Sequence, residues 1–157
     1  MSYLNTKTSS EKSISDFKQQ QLIRFQTTRN RTEKICSPLA IEDYVVQPVD
    51  FVSPPKWHLG HTTWFFETMI LLPYFENYKA FDENYNFIFN SYYETIGTRV
   101  IRTDRGNLSR PSVENIYKYR KHVDEAINVF FNEQIPSEVY DLLELGLQHE
   151  QQHQELL

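Results

Sequence analysis

Proline placement constrains this chain more than any other feature. Seven prolines fall between long stretches whose apolar residues recur at helical spacing, and proline is tolerated at helix starts and ends but not inside helices or central strands. Only four glycines are present, so the tight turns of a many-stranded sheet are scarce. The spacing of Ile14, Phe17, Leu22, Phe25 and Ile35 predicts a first helix from about Ile14 to Cys36, ended by Ser37-Pro38. A short helical turn is expected over Ile41 to Val46, followed by a loop stiffened by Pro48. Ser53-Pro54-Pro55 reads as a helix start with Ser53 as N-cap, and that helix should stop at Pro73. Residues 73–110 read as irregular, apart from an aromatic helical segment, Tyr85 to Tyr93. Pro111 opens a helix to about Asn132, capped by Ser109 or Ser112, and Pro136-Ser137 opens the last one. Four long helices with irregular connections predict an all-α fold, a four-helix bundle over residues 14–157 behind a flexible leader, 1–13.

Composition removes several function classes. The net charge of −5 argues against a nucleic-acid binder, which would carry a basic face. A single cysteine, Cys36, excludes an internal disulfide framework and suits a reducing cytoplasm. No apolar run approaches the roughly 20 residues of a membrane span, and Met1 to Lys18 lacks the apolar core of a signal peptide. The reading is a cytoplasmic protein with no nucleic-acid or membrane partner.

The chemistry lies in the histidines. His149 and His153 sit four apart in Gln148-His149-Glu150-Gln151-Gln152-His153, so on a helix they share one face and can grip one metal ion. An exposed polar helix end is the alternative, but such an end favours Lys or Arg, and neither occurs from Val139 to Leu157. On the second helix, His61 follows Trp57 by four and precedes Phe65 by four. That places it on an aromatic stripe where a buried imidazole needs a partner, a metal or a hydrogen bond. His58 sits off that stripe, and only one of the two need point inward. His122, amid Arg120, Lys121 and Asp124, reads as a solvated surface residue. Three histidines from two helices would leave metal positions open, as catalysis requires, and neutral nitrogens do not choose between Zn and Fe(II).

Ser53-Pro54-Pro55-Lys56-Trp57-His58-Leu59-Gly60-His61-Thr62-Thr63-Trp64-Phe65-Phe66-Glu67 resembles the first metal-ligand segment of the ergothioneine-biosynthesis sulfoxide synthases, the EgtB family. Asn90-Ser91-Tyr92-Tyr93-Glu94, Arg105-Gly106-Asn107-Leu108-Ser109-Arg110-Pro111 and His149-Glu150-Gln151-Gln152-His153 are similar to three further blocks in the same order, so the resemblance runs from about residue 30 to 157. It implies a DinB-like bundle that supplies three histidines, here His61, His149 and His153, to a mononuclear non-haem Fe(II). It implies that the enzyme uses O₂ to join the sulfur of cysteine or γ-glutamylcysteine to trimethylhistidine as a sulfoxide. Arginines after the aromatic helix would hold the thiol substrate. Arg99, Arg102 and Arg105 are on offer and Arg102 with Arg105 are favoured, since guanidinium pairs bidentately with carboxylate. Salt bridges to Asp104 or Glu94 are the structural alternative. Gln152 would help orient the histidine-derived substrate.

The resemblance also implies a second, formylglycine-generating-enzyme-like domain that carries the catalytic tyrosine. No residue here matches that tyrosine, and the expectation is a protein incomplete as a synthase. Two other readings stay open. One is a stand-alone DinB-like thiol-S-transferase using Zn or Ni, and the other a non-catalytic helical partner domain. The thiol used, the choice among ergothioneine, ovothiol and selenoneine chemistries, and the oligomeric state are left open by these motifs.

Overall fold

The computed structural model describes residues 9–91 and 98–157, and among them it is all-α, with no strand. Helix α1 is Ser9–Cys36. Helix α2 is Pro55–Phe66, prolonged by a π-helical turn, Glu67–Leu71, and a last turn, Leu72–Tyr74. A short helix, α3, is Tyr85–Phe89, and the bundle is completed by α4, Val113–Phe130, and α5, Ser137–Glu155. The 3₁₀ turns Ile41–Val45 and Arg102–Asn107 punctuate the connections. Helix α2 packs against both α4 and α5, while α1 packs along α5.

Burial explains the order of the layers. Every residue from Lys56 to Phe66 is buried, the polar Lys56, His58, His61, Thr62 and Thr63 included, so this helix has no solvent-facing side and lies at the centre. Its face toward α5 is held close by Gly146, where an added Cβ would stand 2.5 Å from Phe66 Cε1 and 2.9 Å from Phe65 Cε1. Tyr119, Val123, Ile127 and Phe130 of α4 and Val139, Leu143 and Leu147 of α5 close the core around it.

The boundaries differ from expectation in instructive ways. Helix α1 already includes residues 9–13, which the sequence reading gave to a flexible leader, and residues 1–8 of that leader lie outside the described residues. Ile14 and Phe17 are exposed, whereas Phe25 is fully buried, so the apolar stripe of α1 enters the core only in its second half. Pro54, not Ser53, is the N-cap of α2, and no side chain caps it. The Ser53 hydroxyl is engaged by Arg105 instead. The helix also runs past Pro73, because a π turn precedes the proline and the last turn tolerates it. Ser112 is the cap of α4, accepting from the Asn115 backbone at 3.2 Å. The aromatic helix ends at Phe89, and the Tyr92 to Glu94 part of the expected motif lies outside the described residues.

Candidate metal centre

The last carbonyls of a helix have no partner within it. In α3 two of them turn toward α2: Ile88 O accepts from Trp57 Nε1 at 3.1 Å, and Phe89 O lies 2.6 Å from His61 Nδ1. A carbonyl can only accept, so His61 carries its proton on Nδ1 and offers the Nε2 lone pair. Trp57 stacks on one side of the ring at 4.4 Å between centroids and Trp64 on the other at 5.7 Å. Gly60 allows this approach, since a Cβ there would strike the Phe89 ring.

His61 Nε2 faces His149 Nε2 at 3.1 Å. His61, His149 and His153 each place a nitrogen within 4.8 Å of the others, and theirs is the three-residue group among the described residues able to hold a metal ion. Nitrogens ~2.0–2.1 Å from one ion stand roughly 2.8–3.4 Å apart at octahedral to tetrahedral angles, so the 3.1 Å separation fits a shared ion. The donor set fits as well. Burial pushes all three imidazoles down, His153 to about 3 and His61 well below the ordinary histidine value, with neighbouring rings adding to the shift of His61 and His153 and Glu150 opposing that of His149. They are therefore neutral at pH 7, as metal ligands must be. His149 Nδ1 is buried with no hydrogen-bond partner among the described residues, so without a metal the ring keeps its proton on Nε2, donated to the His61 Nε2 lone pair.

His58 departs from the sequence reading. It is buried, 4 % exposed, and its Nδ1 lies 2.6 Å from His153 Nδ1. The reading that only one histidine of the pair need face inward assumed a one-sided helix, and α2 is covered on every side. His122 is exposed on α4, as expected, resting on the rings of Tyr78 and Phe81.

Beneath the histidines lies a charge network that sequence reasoning missed. Glu150, between the two ligand positions of α5, is fully buried. It accepts from Arg29 at 2.8 Å, Arg120 at 3.1 Å and Thr32 at 2.7 Å. Burial raises its pKa, but the two guanidinium groups outweigh this and hold it down at about 2. Arg29 also reaches Thr63 of α2, and Arg120 donates to the Leu59 carbonyl, so all four long helices meet at one carboxylate. Farther along α2, buried Glu67 accepts from Tyr78, Tyr119 and the Phe81 backbone.

The predicted substrate residues fall on two sides of the histidines. Arg105 is buried, donates to the hydroxyls of Ser53 at 2.9 Å and Ser91 at 3.1 Å, and lies 3.4 Å over the Trp57 ring. With the exposed Arg102 it lines a cavity of about 270 Å³ whose wall also includes His58, Trp57 and Ser91. Arg99 joins Arg102 and Arg105 around an adjoining cleft. Gln152 is exposed and borders a separate cleft with His149 and Phe65.

No described helix is long and apolar enough to cross a membrane. No curated protein matches the chain. The family model of the DinB superfamily matches residues 24–157, a range holding the four long helices' shared core and all three converging histidines, and the chain therefore belongs to the DinB superfamily.

Proposed function

We propose that this domain is the iron-binding part of an oxidative C–S bond-forming enzyme of the sulfoxide synthase type, acting on a cysteine-type thiol and trimethylhistidine. The observation that carries the reading is the position of the Arg102 and Arg105 cavity, which reaches the histidine group through Trp57 and His58. In the overall reaction, thiol, imidazole C2–H and O₂ give the sulfoxide and one water. When bound, Fe(II) supplies redox chemistry with O₂ at the positions that three histidines leave open. The protein's own groups set the stage for it. Three neutral nitrogens leave the charge of a dication uncompensated, which favours an anionic thiolate as the next donor. Arg105 and Arg102 attract the carboxylates of cysteine or γ-glutamylcysteine, and Gln152 offers a carboxamide to the imidazole of the second substrate on the other side. Trp57 and Trp64 shield the His61 face from water.

The test uses anaerobic protein loaded with Fe(II), read by the electron paramagnetic resonance of its nitric oxide adduct. Adding γ-glutamylcysteine or cysteine should change the spectrum, and Arg105→Leu should abolish that change while leaving the adduct itself. A spectrum indifferent to both thiols removes the substrate assignment. Stoichiometric zinc in protein purified without chelators, with no affinity for Fe(II), would instead favour a zinc-dependent thiol transferase.

A further inference from the structure

We propose that His58 is a positioning residue: its Nδ1 accepts the Nδ1–H of His153 and thereby aims the His153 Nε2 lone pair at the metal. The inference rests on the metal reading of the three-histidine group. Its geometric basis is the 2.6 Å approach of the two Nδ1 atoms. Between two neutral imidazoles one nitrogen must donate and the other accept. If His153 donates from Nδ1, its free lone pair is on Nε2, the nitrogen that remains for the shared ion. His58 then carries its own proton on Nε2.

Three further observations favour positioning over ligation. His58 stands outside the group whose nitrogens all lie within 4.8 Å of one another. It is 4 % exposed, so water does not compete for the contact. The same device already operates at His61, whose Nδ1 is held by the Phe89 carbonyl. Helix α2 thus supplies one group to the metal directly and orients a second from α5, with His58 and His61 three apart on adjoining faces. Partners of this kind fix ring orientation and tautomer in metal sites. His58 also borders the Arg105 cavity, which places the metal's support in the wall of the pocket assigned to the thiol.

The experiment compares the native protein with His58→Leu, which removes the acceptor, and His58→Asn, whose carboxamide oxygen takes the place of Nδ1. Co(II) is the probe metal, titrated against a competing chelator, with paramagnetic NMR of the exchangeable ring N–H protons. His58→Leu should bind Co(II) roughly 10–100-fold more weakly and lose the shifted His153 Nδ1–H signal. His58→Asn should keep that signal and recover most of the affinity. A folded His58→Leu with unchanged affinity and signal overturns the proposal, as does an Asn variant as damaged as the Leu variant. Four shifted imidazole N–H signals in native protein would make His58 a ligand and also overturn it. Nitrogen-15 histidine spectra of native metal-free protein give a reading independent of any variant's folding. Nδ1–H on His153 with Nε2–H on His58 supports the proposal, and the reverse pair sinks it. Native protein that takes up no Co(II) fails the metal reading itself, a result distinct from each of the others.

Discussion

At the scale of the residue, burial sets the charge state of the histidines and so makes acid the test of the site. His58 is pushed down to about 4 and His153 to about 3, in both cases first by burial, then by Arg105 and by His58 respectively. The unfolded chain takes up these protons near the ordinary value of ~6.5, whereas the folded chain does not. Stability therefore rises with pH wherever the unfolded state binds more protons. The contribution is complete above about 6.5 and is lost as pH falls toward about 4 and then 3. Urea midpoints of metal-free protein should decline steadily from pH 6.5 to 4, and a flat profile there would contradict the burial of these rings. Replacing His61, His149 or His153 singly with Ala should weaken Co(II) binding by at least about 100-fold, measured against a chelator, because each removes a direct donor. His122→Ala should leave it unchanged.

At the scale of the element, the fit of α2 against α5 depends on Glu150 and Gly146. Glu150→Gln leaves Arg29 and Arg120 facing a neutral amide inside the core. Breaking a buried pair of this kind costs about 3–5 kcal/mol, to be read by equilibrium urea unfolding. A loss below about 1 kcal/mol, the scale of exposed pairs, would mean that the network is open to water. Gly146→Ala should gain about 1 kcal/mol of helix propensity but lose about 1–3 kcal/mol to overpacking against Phe65 and Phe66. The expected net is destabilisation with weakened metal binding, since the clash lies one turn before His149. A stabilised variant would show that the two helices can separate at no cost.

At the scale of the whole molecule, a metal held by α2 and α5 links helices whose histidines are 88 residues apart in sequence. An ion that binds only the folded chain stabilises it by mass action, by about 2.7 kcal/mol at 100 times its dissociation constant. Thermal unfolding with excess Co(II) should therefore shift upward in native protein and not in His149→Ala. An equal shift in both would place the metal elsewhere. Metal protection should fade in acid once the folded histidines themselves take up protons, because only a neutral imidazole can bind the ion.

The prolines, the few glycines and the apolar period determined the all-α class and the places of the long helices, because those signals act within a few residues of chain. Spacing likewise paired His149 with His153, since a four-residue step on one helix sets two rings on one face whatever surrounds it, while His61 stood out only as an imidazole on an aromatic stripe and joined them as a ligand through the family resemblance. Tertiary structure alone decided the rest. Glu150 reads locally as one more polar residue at a helix end, yet Arg29, 121 residues away, and Arg120, 30 residues away, make its burial tolerable. His58 reads as the outer member of a pair, yet a helix covered on every side has no outer face. Periodicity reports which side of a helix is apolar. Which polar groups enter the core depends on the charge or hydrogen bond waiting there, and that is settled only where separate helices meet.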